Sequence, residues 1–365
     1  MAKKADDPRK ARHATLALMP PRFTALSDRA LPQEEAWRDR FQLAYHLGPV
    51  YDTIRSPKTV TPMAVAVYGD WGTGKTTAMR WLDSLLDTWN RQGKAKDKVT
   101  VEPVWFYPWK YHAREDVWRG LIAEVILSSI QVKGATMAQV TKAAKQFGLF
   151  LGRSFLHALA AVKVKAEAPG GVVGAELSLS AVRDIVEEFR EAAHPEKAYL
   201  NEFEQTLKDW VGDTITKGHR LVLFIDDLDR CMPDVALEVL EALKLYLNIP
   251  NIIFVVGVDR NVVDELVQTH YERLGLAKDK SKHYLAKMFQ IEVTLTVHEG
   301  QIEQFLDDQL AAFDLWRELS GDHQGIFRDR ILNLAARNPR EVKRLINSAL
   351  MYGAGAIMAQ ELENG

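Results

Sequence analysis

The sequence predicts an α/β fold in which a mostly parallel sheet is flanked by helices. Short apolar runs of strand length alternate with stretches of helical period, the pattern of parallel strands joined by crossover helices. Three of these runs end directly in glycine or aspartate, at 64–68, 221–225 and 252–256. From residue 299 onward the apolar stripes have helical spacing, so we expect a helical C-terminal subdomain after the sheet.

The first half of the sheet domain is predicted at residues 37–132, after an N-terminal tail at 1–36. Apolar residues at helical spacing, strand-length apolar runs and a loop with two prolines (56–62) mark its elements. In chain order we predict a helix up to residue 54, a strand at 64–68, a helix at 76–89, a strand at 101–106 and a helix at about 116–130.

Residues 133–198 are predicted to form an insertion, because the composition changes there to an Ala/Lys-rich stretch followed by an apolar run at 147–162. That run contains Arg153 and His157 and is shorter than the ~20 residues that cross a bilayer, so we expect a buried or interfacial helix. Alternation at 172–179 is compatible with a hairpin, and apolar spacing at 182–189 indicates an amphipathic helix.

The second half of the sheet domain is predicted at 199–297, and the helical subdomain, which we interpret as a lid, at 298–365. The predicted elements are a helix at 200–210, strands at 221–225 and 252–256 with a helix at 235–247 between them, an edge strand at 289–295, and helical stripes at 302–313 and 342–350.

The first predicted strand is followed by a complete phosphate-loop motif, G-x-x-x-x-G-K-[ST], and then by a helix, the context that this motif requires. Its glycines allow successive N–H groups to point inward, and the helix N-terminus adds partial positive charge. Lys75 is expected to bridge the β- and γ-phosphates, Thr76 to offer its hydroxyl to Mg²⁺, and Thr77 to reach the α-phosphate side. Trp71 either acts as a lid or contacts a partner or the base of the nucleotide, or it only packs locally. The motif comprises Gly69, Asp70, Trp71, Gly72, Thr73, Gly74, Lys75 and Thr76.

Carboxylates follow two of the other predicted strands. Asp226, at the end of an apolar strand, is predicted to hold Mg²⁺, usually through water. Asp227 is predicted to orient the attacking water, or alternatively only caps the loop. We interpret Arg230 as neutralising this acidic cluster rather than touching phosphate. Asp259 either senses the γ-phosphate or is the N-cap of the helix that follows.

A basic helix is predicted near the C-terminus. Asn338 and Pro339 read as an N-cap followed by proline at the first helical position. Arg340 then lies in the first turn, where a cation opposes the helix dipole, which suggests a nearby anion. We predict that Arg340 or Arg344 reaches the bound nucleotide; the alternative is an exposed basic face paired with Glu341.

Composition and charge exclude several classes. Apolar residues make up 47% and charged residues 26%, as in a globular protein, and the net charge of −2 gives no sign of nucleic acid or an anionic membrane. The one cysteine, Cys231, allows neither an intrachain disulfide nor a cysteine-based zinc site, and we interpret it as a small hydrophobe. The N-terminus lacks the apolar stretch of a signal peptide, so we expect a cytoplasmic location.

These motifs together resemble the KAP family of P-loop NTPases. They are the tryptophan-containing phosphate loop, the aromatic stretches at 105–106 and 108–111, IDDLDRC at 225–231, FVVGVDR at 254–260, the segment 284–291 and NPREVKRLIN at 338–347. The resemblance implies an ASCE-type sheet, with another strand between the phosphate-loop strand and the Asp226 strand, and ATP as the nucleotide. Many members carry transmembrane segments where this chain has its insertion. This chain therefore resembles the soluble, mostly bacterial branch, some of whose members act in phage exclusion or mobile-element conflict.

The function that these observations favour is a Mg²⁺-dependent ATP hydrolase that acts as a conformational switch. An ATP-binding scaffold with little turnover is the alternative, and a P-loop kinase is less favoured because no acceptor site is evident. No [NT]-K-x-D element follows the second half-site, which counts against GTP. We expect a protein partner or a homo-oligomer, since P-loop enzymes often borrow an arginine from a neighbour.

Overall fold

The computed structural model describes a series of segments that together hold the predicted sheet and its helices. The described residues are 25–27, 41–92, 98–111, 114–132, 139–143, 146–147, 163–168, 171–176, 199–215, 218–246, 249–273, 284–313, 316 and 320–364. Most of the N-terminal tail, nearly all of the apolar run at 147–162 and the predicted helix at 182–189 lie outside them. The chain divides into two compact units, a sheet unit at 31–295 and a helical unit at 296–365 together with 1–30.

Five parallel strands form the sheet of the sheet unit, in the order β2-β5-β6-β1-β7. The strand β6 therefore lies between the phosphate-loop strand β1 and the strand β5 that precedes Asp226, as the resemblance implied. This topology confirms the predicted parallel α/β class. The strands are β1 Met63–Tyr68, β2 Thr100–Phe106, β5 His219–Ile225, β6 Ile252–Val258 and β7 Ile291–Thr294, and a separate hairpin contains β3 Lys163–Ala168 and β4 Gly171–Glu176.

Both faces of the central strands are covered, which explains their unbroken apolar sequences. All residues of β1 and β6 are buried, and alternate residues of β1 enter two different cores. Ala64, Ala66 and Tyr68 join one cluster, while Met63, Val65 and Val67 join the other. By contrast, the burial of β7 alternates along the strand, as predicted for an edge.

Helices of the sheet unit pack against these two faces. Their apolar residues recur every three or four positions; in the helix after the phosphate loop Ala78, Leu82 and Leu86 are all fully buried. None of the helices in the described segments is both long and apolar enough to cross a membrane. The helices are α1 Leu43–Arg55, α2 Lys75–Arg91, α3 Arg114–Val132, α4 Tyr199–Thr214, α5 Pro233–Tyr246, α6 Arg260–Arg273 and α7 Tyr284–Met288, with 3₁₀ turns at Pro108–Lys110 and Leu228–Arg230.

The hairpin differs in position from the alternating stretch at 172–179. Its strands pair antiparallel from Lys163 opposite Glu176 to Ala168 opposite Gly171, so the turn falls at residues 169–170. The alternating stretch in the sequence overlaps only the second strand, at 171–176. The first strand, at 163–168, directly follows the apolar run at 147–162 and has charged residues at alternate positions, so its start was not evident from the sequence.

The helical unit contains α8 Glu299–Leu310, α9 Gly321–Ala335 and α10 Pro339–Asn364. Asn338 caps α10 as predicted, since its Oδ1 accepts the backbone N–H groups of Arg340 and Glu341 at 3.0 and 3.4 Å. Further along α10, the Asn347 amide accepts the N–H of Leu26 at 2.7 Å and donates to its carbonyl oxygen at 2.9 Å. We call this pair of bonds the Asn347 clamp.

Asn347→Ala is expected to loosen residues 25–27 on α10, because it removes both bonds of the Asn347 clamp at a cost of roughly 1–3 kcal/mol and leaves the bond from Lys343 Nζ to the Ser27 carbonyl oxygen at 3.0 Å. Hydrogen exchange of the Leu26 amide should therefore accelerate strongly. Ser348→Ala is the matched control, since the Ser348 hydroxyl donates to the Arg344 carbonyl oxygen within the same helix and makes no other bond among the described residues. Unchanged exchange at Leu26 in the Asn347 variant would show that the clamp does not hold this segment.

Candidate functional site

The phosphate loop joins β1 to α2 and is shaped by its glycines. Gly72 and Gly74 have φ of 87° and 99°, in the region that favours glycine, and Gly74 immediately precedes the first turn of α2. The loop is closed by Thr73, whose N–H and hydroxyl both donate to the Asp70 carbonyl at 3.2 and 2.8 Å. A Cβ at Gly69 would lie 2.5 Å from Thr73 Oγ1, so this position also needs glycine. The loop therefore leads directly into the N-terminus of α2, whose first N–H groups are donors without partners inside the helix and can bind an anion.

Lys75 is buried within this loop, at 8% exposure. Its Nζ donates to the carbonyl oxygens of Gly69 at 2.9 Å and Asp70 at 3.3 Å. Its third contact is an ion pair with Asp229 Oδ2 at 3.2 Å, and the Asp229 side chain is only 7% exposed. An ammonium has three N–H donors, so these three acceptors match its capacity. The sequence did not indicate this pairing.

Asp226 lies at the carboxyl end of β5 and is 1% exposed. Its Oδ1 accepts the N–H of Asp227 at 2.9 Å, while its Oδ2 is buried without a hydrogen-bond partner in the described segments. Burial first, and then the charge of Asp227, raise the pKa of Asp226 to about 6, although a hydrogen bond from Thr76 lowers it. A carboxylate oxygen that lacks a donor is suited to a cation, so Asp226 and Thr76 fit the predicted Mg²⁺ ligands.

The described residues offer no cluster of three or more His, Cys, Asp or Glu side chains that could hold a metal by themselves. Mg²⁺ is commonly bound through one or two carboxylates together with water and substrate phosphates, and such a site needs no larger protein cage. The donor set of one carboxylate and one hydroxyl is therefore consistent with that kind of site and not with a structural zinc site.

Asp227 has a left-handed backbone, with φ of 60° and ψ of 32°. A non-glycine residue adopts this conformation at a cost, and such residues are often found at functional sites. Arg230 Nε lies 2.8 Å from Asp227 Oδ1, across the Leu228–Arg230 turn. This ion pair agrees with the interpretation of Arg230 as neutralising the acidic cluster. Cys231 is half-buried beside it, and burial followed by the charges of Asp229 and Asp227 raises the pKa of its thiol to about 12, so the thiol stays protonated.

The strand β6 brings two further residues to this edge. Asp259 follows it, is 7% exposed, and accepts the Asn261 N–H on Oδ1 at 3.1 Å, the geometry of the N-cap alternative. Gly257 lies within β6, where a Cβ would be 2.9 Å from Met79 Sδ and 3.3 Å from Asp226 Oδ1. Gly257 was not among the site residues predicted from the sequence, although a glycine inside an apolar strand is a signal of close approach.

An aromatic and basic stack, also missed from sequence, follows the end of β2. The Arg80 guanidinium lies 3.5 Å from the centroid of the Trp105 ring and donates to the Tyr107 hydroxyl. Trp105 also stacks on Phe224 of β5 and donates from Nε1 to Asp83 at 2.9 Å. Burial raises the pKa of Tyr107, Arg80 lowers it, and Asp226 raises it, so the phenol lies near the acidic end of β5. This stack therefore joins the end of β2 to α2 and β5 beside the site.

Four other residues predicted from the sequence lie on the phosphate loop, on α2 and on α10. Trp71 is 49% exposed on the phosphate loop, and Thr77 lies in the first turn of α2. Arg340 and Arg344 belong to α10 of the helical unit, and Arg344 pairs with Glu341 at 2.7 Å. That contact corresponds to the alternative of a basic face paired with Glu341. The assignments of Asp259, Arg340 and Arg344 to the nucleotide stay predictions.

Comparison with known proteins gives a family match over most of the chain. Residues 48–354 match the family model described as the KAP family P-loop domain. No curated protein matches the chain significantly.

Three solved structures with distant similarity are the Aeropyrum pernix ORC1 protein in complex with DNA, Drosophila ORC bound to DNA and Cdc6p from Pyrobaculum aerophilum. Their sequence identities are 14%, 13% and 14%, with TM-scores of 0.39, 0.39 and 0.36. The matches cover 88%, 91% and 91% of this chain but only 60%, 61% and 65% of those chains.

Proposed function

We infer that the chain, which belongs to the KAP family of P-loop domains, binds ATP with Mg²⁺ and hydrolyses it between the phosphate loop and the acidic end of β5. The observation that carries the proposal is the buried Asp226 Oδ2, which has no hydrogen-bond partner in the described segments and belongs to a carboxylate whose pKa is raised by burial and lowered by the nearby hydroxyl of Thr76 in the phosphate loop. An ionisable oxygen left without a donor in such a place is costly unless a ligand satisfies it.

In this proposal the phosphate loop supplies binding. The left-handed glycines orient backbone N–H groups toward an anion, and the N-terminus of α2 adds its dipole. Lys75 contributes a buried cation, which interacts with phosphate more strongly than an exposed lysine because water screens it less.

Asp226 and Thr76 would hold Mg²⁺. When bound, the metal neutralises developing charge on the phosphate oxygens. Asp226 is suited to this role because its Oδ1 accepts the Asp227 N–H at 2.9 Å, and the missing side chain at Gly257 leaves space beside that oxygen, where a Cβ would lie only 3.3 Å away.

Asp227 would orient the attacking water. The two consecutive carboxylates have different partners, since Asp226 accepts the Asp227 N–H and Asp227 pairs with Arg230, so they can serve different roles. The ion pair between Arg230 Nε and Asp227 Oδ1, at 2.8 Å, holds the Asp227 carboxylate in place. Phosphoryl transfer requires mainly positioning and electrostatic stabilisation. The phosphate loop, Lys75, Asp226 and Asp227 are groups of the types that supply both.

We further propose that hydrolysis switches the conformation of the protein. Limited proteolysis with ATP, with ADP and without nucleotide should then give different fragment patterns. Identical patterns, together with ATP binding but no turnover by the wild type, would favour the scaffold alternative.

The primary test is phosphate release from ATP by purified wild-type protein, with and without Mg²⁺, and from GTP in parallel. We expect Mg²⁺-dependent release from ATP. Absence of release, with or without Mg²⁺, would contradict the hydrolase proposal.

Asp226→Asn is expected to abolish Mg²⁺-dependent release while stabilising the metal-free fold at pH 7. The pKa of Asp226 is raised to about 6 from an ordinary 3.8, so the ionised group destabilises the fold above pH 6. Stability contributed by this group is therefore gained as the pH falls through 6. The variant should raise the free energy of unfolding at pH 7 by roughly 1–3 kcal/mol and flatten its rise between pH 7 and 5.

Denaturant unfolding at both pH values, without metal, measures this effect. Asp213→Asn, which removes an exposed carboxylate on α4 paired with Lys142, controls for net charge. A less stable Asp226 variant at pH 7 would contradict the predicted environment of the carboxylate.

A further inference from the structure

The ion pair between Lys75 and Asp229 joins the phosphate loop to the Leu228–Arg230 turn. Lys75 Nζ lies 3.2 Å from Asp229 Oδ2, and both side chains are more than nine-tenths buried. Among its three acceptors, the two carbonyl oxygens belong to the loop itself and are neutral, so Asp229 is the anion that the cation contacts.

We propose that Asp229 competes with the phosphates of the nucleotide for Lys75, so that binding exchanges one anion for another and Asp229 sets the affinity. This inference rests on the proposed function, because it assumes that phosphate approaches Lys75. Since all three N–H donors of Lys75 already have acceptors, phosphate must displace one of them. The carboxylate is the one that a polyanion also repels.

Exchanging Asp229 for phosphate costs free energy, because the Asp229 carboxylate loses its cation. In the described segments its carboxylate has one ion-pair partner, Lys75, and it is almost inaccessible to water. Once phosphate takes Lys75, Asp229 must stay buried without a cation or move toward solvent. Either outcome subtracts from the free energy of nucleotide binding, because an uncompensated buried carboxylate is strongly unfavourable.

The turn that carries Asp229 also carries Arg230, whose Nε contacts Asp227 at 2.8 Å. The segment 227–230 thus takes part in two ion pairs. Asp229 pairs with Lys75 of the phosphate loop, and Arg230 pairs with Asp227, the residue proposed to orient water. Displacement of Asp229 therefore acts on the same short turn that positions Asp227.

Asp229→Asn is the direct test. The amide keeps the size of the side chain and removes the charge, so ATP should bind roughly tenfold more tightly, the scale of one charge-assisted hydrogen bond. The titration uses ATP in chelator without Mg²⁺, so that any contribution of Asp229 to metal binding does not enter. Asp229→Glu retains the charge and should show no gain, and Asp87→Asn, an exposed acid at the far end of α2, controls for net charge.

A second readout is the thermal stability of the variant and the wild type, measured without and with ATP. Without ATP, Asp229→Asn should lower Tm, because Lys75 loses its anion, and saturating ATP should then raise Tm more in this variant than in the wild type. A role of Asp229 confined to folding would lower Tm without tightening ATP binding, and that result would overturn the proposal.

Failure of this inference is distinguishable from failure of the proposed function. Equal or weaker ATP binding by Asp229→Asn overturns the competition even if the wild type hydrolyses ATP. Tighter binding by the variant supports it even if neither protein shows turnover. If neither protein binds ATP, both the competition and the proposed function are overturned.

Discussion

Lys75→Met is expected to weaken ATP binding at least ~100-fold and to remove turnover, because truncating one partner of a buried charged contact costs several kcal/mol. The structure adds a second expectation. The substitution leaves the Asp229 carboxylate buried without its cation, so the fold should also lose about 3–5 kcal/mol. Titration with ATP and denaturant unfolding measure the two effects separately.

The double variant Lys75→Met/Asp229→Asn resolves the ambiguity between a binding defect and a folding defect. With both charges removed, most of the lost stability should return, while ATP binding should remain weak. If the double variant recovered ATP binding together with stability, Lys75 would not contribute a phosphate contact and the defect of the single variant would be structural.

Asp227→Asn is expected to lower kcat by about 10²- to 10⁴-fold while ATP binding changes little, because the amide cannot accept a proton from the attacking water. Asparagine is the suitable replacement here for a backbone reason. Residue 227 has φ of 60°, and asparagine is among the few residues that tolerate this region. Single-turnover phosphate release and equilibrium ATP titration separate chemistry from binding.

Asp227→Ala serves as the comparison. It should show the same loss of kcat and, in addition, lower stability by roughly 1–2 kcal/mol, because alanine is strained in the left-handed region. Near-normal kcat in Asp227→Asn would refute the assignment of this residue to water positioning and leave the loop-capping alternative.

Sequence patterns predicted the sheet because its central strands β1, β5 and β6 bury both faces. A strand with no exposed face has no polar alternation, and the apolar runs at 64–68, 221–225 and 252–256 therefore marked β1, β5 and β6 within two residues. The phosphate loop was equally clear, since its chemistry requires a fixed order of residues over eight positions. The family match over 48–354 agrees with the resemblance inferred from these motifs.

Contacts between distant segments were not predictable in the same way. The pair of Lys75 with Asp229 depends on the strand order, in which β1 and β5 flank β6, and no local period in the sequence encodes that order. The same applies to Arg220, which is buried at the start of β5 and donates to the carbonyl oxygens of Ile54 and Thr59. As a charged residue beside an apolar run, it reads locally as the polar edge of a strand.

The Asn347 clamp has a consequence for the order in which the protein assembles during synthesis. Leu26 and Asn347 are separated by 321 positions, and all five strands of the sheet lie between them. A nascent chain can complete its sheet before α10 leaves the ribosome, since domains generally fold as units in N-to-C order. Residues 25–27 can therefore dock on α10 only after all five strands of the sheet have been made, although they are among the first residues of this sequence to be synthesised.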